Sequence, residues 1–274
     1  MKAVYDSEVR TSVIASVRKN LQEFWTYRFA LKNFVASELE QRYRRSIIGF
    51  FWTLLNPLLT MAITATVFSL IWRMNIRSFA VYIFSGIVPF TFISAAITRS
   101  GISIIAAEDY LKKIYVPKFL FPLVTVTSET VNFVFSLVAL FILGVLLKMH
   151  VGWAIVLLPA AIGLTFLFSL GIGLILSVAT VYVRDLSHIT SVLLSALFYL
   201  VPIIYPIDFI PEAYRGYFWY NPFFYFINLF RRLIYENVFP SAFEWIVPLG
   251  LSLCVVVIGQ VVLFLKEGDL IYRL

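Results

Sequence analysis

One cysteine and two histidines are all this 274-residue chain holds of the softer metal-binding and thiol chemistries. The lone Cys254 excludes an intrachain disulfide, and neither His150 nor His188 has a Cys, His or carboxylate neighbour at metal-ligand spacing. No metal site is expected. A glycine-rich loop ending in Lys-Ser/Thr is also missing, so the chain has no recognisable cradle for nucleotide phosphates and is expected not to hydrolyse ATP itself. Charge is scarce too: Asp, Glu, Lys and Arg together make 14% of the residues, where ordinary soluble domains carry about 25%. Residues 1–45 are charged and hold no apolar core leading to a small-residue cleavage site, so a removable signal peptide is not expected.

What fills the space is apolar. Hydrophobic residues make 61% of the chain and the mean hydropathy is +0.91. A bilayer core of about 30 Å needs roughly 20 apolar residues per helix, and six runs qualify: 47–71, 79–97, 119–147, 153–183, 189–204 and 245–265. They are continuous, whereas a barrel would show segments of alternating polarity. The fifth is short and meets Pro202 and Pro206, so its outer end is expected to bend or re-enter. The fold class that follows is an all-α integral membrane protein with six transmembrane helices.

Orientation follows from the basic residues. With the N-terminus inside, sixteen Lys and Arg fall on inner segments and six on outer ones, which predicts both termini in the cytoplasm. The net charge of +7 then reads as anchoring to the inner leaflet, not as nucleic-acid binding. Within residues 15–45, Leu21, Phe24, Leu31 and Val35 recur at helical spacing with Arg28 on the same face. That pattern predicts an amphipathic interface helix held by its apolar face and cationic rim.

Four places could carry chemistry. Residues 103–115, between the second and third spans, hold Glu108, Asp109, Tyr110, Lys112 and Lys113 and are closed by Pro117. Glu108 to Lys112 and Asp109 to Lys113 are acid-to-base pairs four apart in the favoured order. The segment is a charged cytoplasmic helix, either a plain connector or a contact surface. Arg184 and Asp185 stand at the inner mouth of the fourth span, in which Gly163, Gly171 and Gly173 permit close helix approach. Glu129 is the acidic residue well inside a span, with Asn132 on the same face; it serves either a helix-to-helix hydrogen bond or transport. Finally, eight of the ten residues in YFWYNPFFYF, 217–226, are aromatic. Such rings either settle at the membrane interface or give a sugar a flat surface to slide across.

The chain resembles the membrane subunits of ABC-2 type exporters that move polysaccharides such as capsule, O-antigen or teichoic acid chains. The resemblance runs over nearly all residues after about 38 and rests on RYRRSIIGFFWTLLNP (Arg42, Tyr43, Ser46, Gly49, Trp52, Pro57), SGIVPF (Gly86, Pro89), LKKIYVPK, SLGIGLILSVATVYVRDL (Gly171, Gly173, Arg184, Asp185) and YNPFFYFINLFR (Asn221, Pro222, Arg231). Each motif is weak alone; their order around six spans is specific.

The resemblance implies a half-transporter that forms a homodimer, binds two copies of a cytoplasmic ABC ATPase carrying ATP and Mg, and binds no cofactor itself. It implies an inner-membrane location, a polymer path between protomers, and room for envelope partners. Residues 1–45 would be a cytoplasmic segment, 46–266 a single transmembrane domain and 267–274 a cytoplasmic tail. The 103–115 segment would become the coupling helix, with Glu108, Asp109, Tyr110, Lys112 and Lys113 facing the ATPase. Residues 205–240 would form re-entrant outer gate helices between spans five and six, tolerated because protein or water shields their backbone. Tyr217, Trp219, Tyr220 and Tyr225 are the expected outer path residues, with Tyr82, Tyr199 and Trp52 as further lining. An ABC-2 exporter of a drug or simple lipid is the alternative. A membrane enzyme acting on lipid-linked sugars would need an acidic or metal site near an interface, which the sequence lacks.

Overall fold

Backbone groups in hydrocarbon have no water to bond, so an apolar chain must satisfy them within each segment by coiling into helices. The computed structural model describes residues 23–44, 48–146 and 152–274, and no strand occurs among them. In order come α1 (Arg28–Tyr43), α2 (Trp52–Trp72), α3 (Ile76–Gly101), the short α4 (Ser103–Ala106) and α5 (Glu108–Leu111), α6 (Leu120–Leu146), α7 (Leu158–Tyr182), α8 (Leu186–Leu200), the short α9 (Glu212–Arg215), α10 (Pro222–Arg231) and α11 (Ala242–Arg273). Helices α2, α3, α6, α7 and α11 are long and apolar enough to cross a bilayer. The fifth apolar run is α8, only 15 residues long. It leaves the helix at Val201, which is extended, just before Pro202, so the short run ends in irregular chain as its prolines predict.

Local sequence fixes most ends. Asn75 opens α3 by accepting a hydrogen bond from the Arg77 amide at 3.0 Å. Asn221 does the same for Phe223 at 3.0 Å, and Pro222, which has no amide to leave unpaired, takes the first position of α10. Ser241 and Glu244 form a capping box at the start of α11. Just before it, Asn237 takes the left-handed conformation with φ 55° and accepts from the Gly152 amide at 2.9 Å, tying the entry of α7 to the end of the aromatic region.

The end of the bundle carrying α1, α4 and α5, which the count of basic residues predicts to face the cytoplasm, is called its inner end. Helix α3 is its axis, packed on α2, α6, α7 and α10. Two apolar cores result. The larger, toward the outer end, buries Phe79, Phe84, Phe168, Phe226 and Phe230. The inner core joins Ile104, Leu111, Leu120 and Phe121 to Leu270, with Phe24, Leu31 and Val35 of the N-terminal region packed against it. Phe24, Leu31 and Val35, expected on the apolar face of the interface helix, thus pack against the protein itself; Leu21 lies outside the described residues.

Helices α7 and α11 make the most intimate pair. A Cβ on Gly171 would lie 2.5 Å from the Val255–Val256 backbone, and one on Gly259 would lie 2.7 Å from the Gly171 carbonyl oxygen. Gly163, on the same helix, faces open space. The last apolar run ends at 265 and a tail was expected over 267–274; α11 carries helix through both to Arg273, so the expected tail is helical. The reason is packing: Leu270 is fully buried in the inner core, the Arg273 guanidinium lies 4.5 Å from the Tyr182 ring, and the Lys118 ammonium donates to the Glu267 carbonyl.

Candidate functional site

At the inner end, α3 stops at Gly101 and the chain makes two single helical turns, α4 and α5, parted at Ala107. The continuous helix expected over 103–115 is thus broken. Its apolar side is fixed, with Ile104, Ala107 and Leu111 in the inner core, while Asp109, Tyr110, Lys112, Lys113, Ile114 and Tyr115 are exposed. Glu108 and Lys112 form the expected ion pair. The hydrogen bond and charge of Lys112 hold the Glu108 carboxyl below its usual range, and the Arg184 charge acts in the same direction. Arg184 and Asp185, expected at an inner mouth, are exposed between α7 and α8. Asp109 and Lys113 form no ion pair among the described residues. Tyr110 meets Phe34 of α1 edge-on at 5.8 Å, so the segment also touches the interface helix.

Glu129 lies inside the protein with its side chain 7% exposed. Its carboxylate is 2.6 Å from the Arg42 guanidinium of α1 and 3.1 Å from that of Arg99, in the last turn of α3. Glu38 of α1 closes the figure, 3.2 Å from Arg99 and 3.7 Å from Arg42, and accepts from the Ser128 hydroxyl at 3.1 Å. Asn132 donates to Glu129 at 3.4 Å. Two carboxylates and two guanidiniums thus form a closed square joining α1, α3 and α6. Beside it, a cavity of about 100 Å³ between α2, α3 and α6 has a mostly apolar wall, with Pro57, Val88, Phe92 and Phe133 in it, into which Asn56, Glu129 and Asn132 bring polar groups. The sequence signalled Glu129 and Arg42. It gave no role to Glu38 or Arg99, although Glu38 and Arg42 stand four apart in α1, a spacing that could have flagged them.

At the outer end, the aromatic run divides at Asn221. Residues 216–220 form a 3₁₀ turn in which Tyr217, Trp219 and Tyr220 are exposed, Tyr220 by 86%. In α10, Phe223, Phe224 and Phe226 are buried. Tyr225, half-buried, joins the two halves by donating to the Trp219 carbonyl at 2.8 Å. Tyr199 is exposed at the end of α8, and its carbonyl accepts from Tyr205 at 2.8 Å. Trp52, at the start of α2, is also exposed.

Tyr82 is different: it is buried in α3 under the guanidinium of Arg231, 3.9 Å above its ring, and its hydroxyl donates to the Tyr205 carbonyl at 3.0 Å. Arg231 ends α10, is 6% exposed and donates to the Ile203 carbonyl at 3.2 Å. A ring face and a carbonyl take the place of a carboxylate here. Gly86 makes room, since a Cβ there would lie 3.1 Å from the Arg231 guanidinium. This contact fixes α10 and the 201–205 segment to α3.

Residues 30–235 match the ABC-2 type transporter family. The chain belongs to that family. The matched stretch starts in α1 and ends in the turn after α10, so it takes in the 103–115 segment, the charge square and the aromatic run. Among curated relatives of this ABC-2 protein, the O-antigen export system permease protein RfbA of Myxococcus xanthus is 33% identical over 224 residues, 81% of this chain and 86% of that one. An RfbA protein of Klebsiella pneumoniae is 32% identical over 68% of this chain and 72% of its own length. The polysialic acid transport protein KpsM of Escherichia coli is 26% identical over 72% and 78%. The ABC-2 protein is a multi-pass membrane subunit of a transporter, and its family implies a partner ATPase.

Proposed function

We propose that this ABC-2 protein is the membrane subunit of an exporter that moves a polysaccharide, carried on a lipid, out of the cytoplasm. The observation that carries the reading is the match over most of the chain to proteins named for O-antigen export and polysialic acid transport. Two copies of the chain enclose the path in the bacterial inner membrane, with termini in the cytoplasm, and two ATPase subunits bind below. Within one copy α2 buries only Met61, Ala65 and Ser69, which leaves most of its length free to meet lipid or a second copy.

The inner segment supplies the ATPase contact. Its core-facing side, Ile104, Ala107 and Leu111, makes it rigid with the bundle, while Glu108, Asp109, Tyr110, Lys112 and Lys113 stand outward to receive a push. Rigid anchoring on one face and charge on the other suit a part that transmits movement.

At the outer end, Tyr199, Tyr217, Trp219 and Tyr220 offer open ring surface to a polymer. Ring faces attract sugar C–H groups and hydroxyl or indole edges make hydrogen bonds, so each unit is held weakly and can advance. Tyr225 and Tyr82 act from behind this surface, Tyr225 through the Trp219 carbonyl and Tyr82 through Tyr205 and Arg231.

The test is co-expression with the ATPase genes of the same genome, followed by purification in detergent and assay in cells lacking this chain. The proposal expects a recovered complex and polymer accumulating in the cytoplasm of the deletion strain. Polymer that is missing altogether would point to an enzyme of its synthesis, and export restored only for a drug or simple lipid would refute the substrate.

A further inference from the structure

Arg99 stands where three observations meet. It lies in the last turn of α3, four residues before the 103–115 segment begins. It is a corner of the charge square, 3.2 Å from Glu38 and 3.1 Å from Glu129. It also shares a helical face with Val88, Thr91, Phe92 and Ala95, four of the five α3 residues that wall the cavity between α2, α3 and α6.

The corners of the square are not equivalent. Arg42 and Glu129 are 19% and 7% exposed, and separating them would leave a charge buried without a partner, the costly case. Arg99 is 42% exposed, so water can take up its guanidinium when it withdraws. Neither carboxylate is then stranded. Glu129 keeps Arg42 at 2.6 Å and Asn132, and Glu38 keeps Ser128 at 3.1 Å with Arg42 at 3.7 Å. One corner can therefore detach while the other three stay joined. An apolar contact of the same size would hold α3 as firmly, but without a partner to exchange for water.

We propose that Arg99 is a releasable latch. In the resting protein it pins the inner end of α3 to α1 and α6, and it does so through Glu129, which is itself part of the cavity wall. When the ATPase displaces the 103–115 segment, the end of α3 swings, Arg99 leaves Glu38 and Glu129 for water, and the cavity opens toward the inner side. The Arg42–Glu129 pair remains shut throughout and keeps the interface helix on the bundle. The inference rests on the coupling reading of 103–115, and Arg99 acts as a positioning residue without touching the polymer.

The experiment uses the complex with its ATPase, in a Cys254→Ser background. Cysteines replacing Glu38 and Arg99 are joined by a reducible bis-methanethiosulfonate linker. The latch predicts that export stops on linkage and resumes on reduction. The same linkage between cysteines replacing Arg42 and Glu129 should leave export running, because that side never opens. Unchanged export in the linked Glu38/Arg99 complex overturns the proposal, and so does equal arrest in both linked pairs.

Should the paired variants fail to fold, spin labels at the exposed positions Gln41 and Ile102, with the square intact, decide it. Their separation should lengthen when ATP is trapped on the ATPase, and a fixed separation contradicts the latch. If the unsubstituted chain binds no ATPase, the coupling reading itself fails; if it binds and exports while the labels stay fixed, only the latch does.

Discussion

Arg231 is the residue with most to lose. A guanidinium buried to 6% exposure without a carboxylate depends on the Tyr82 ring face and the Ile203 carbonyl. Lysine cannot stack or fork in the same way. Replacement of Tyr82 separates the two contributions. Tyr82→Phe keeps the ring under Arg231 and gives up only the hydrogen bond to Tyr205, a loss of about 1 kcal/mol. Tyr82→Leu removes the ring as well and adds roughly 1 to 2 kcal/mol. Thermal denaturation in detergent should place Tyr82→Leu clearly below Tyr82→Phe; equal midpoints would mean that the cation does not use the ring.

Glu108 permits a statement about pH. Lys112 depresses its carboxyl pKa, so the folded state binds fewer protons than the unfolded one in the acidic range. The ion pair contributes fully above the ordinary carboxylate pKa and fades as pH falls through the depressed value. ATPase coupling in the complex should then show no titration from this pair near neutral pH. A Glu108→Gln substitution should lower transport-coupled ATP turnover while membrane insertion is unchanged, and a turnover equal to that of the unsubstituted complex would remove the coupling role.

Among the elements, α7 and α11 show what sequence could and could not say. Gly163, Gly171 and Gly173 all read as sites of close approach, yet only the partner decides which of them matter. Gly171 meets the α11 backbone, Gly173 meets Ser100 of α3, and Gly163 meets nothing within 4 Å. Gly259, its counterpart on α11, drew no notice because contact across helices has no signature along one chain. Gly171→Val should therefore lose the folded protein from detergent extracts, whereas Gly163→Val on the same helix should be recovered at ordinary yield. Size-exclusion profiles of the two variants check this, and similar behaviour would contradict the crossing.

The apolar runs were legible because they depend on neighbours in sequence; the caps at Asn75, Asn221 and Ser241 depend on neighbours too, but were not among the features read from it. The square was not, since hydropathy tells which segments enter a membrane and not that Arg42 meets a carboxylate 87 positions away. The aromatic run shows the same limit. Its composition drew attention to 217–226, but its division into exposed Tyr217, Trp219 and Tyr220 and buried Phe223, Phe224 and Phe226 arises at the Asn221–Pro222 cap and the core behind α10.

At the scale of the whole molecule, an axis helix, an inner segment and an outer ring surface are joined through α3. Arg99 near one end of α3 holds Glu38 and Glu129, and Tyr82 near the other holds Arg231 and the Tyr205 carbonyl, so both regions proposed for function are tied to one element. Such a layout suits a machine that takes movement in at one end and delivers a change of opening at the other. The most direct measurement is ATP-driven movement of a labelled, lipid-linked polysaccharide across vesicles that hold this chain and its ATPase. The account predicts transport that requires both subunits and ATP and that slows for long chains when Trp219 and Tyr220 are replaced by Ala. Vesicles that hydrolyse ATP but leave the polymer on its original side would contradict it.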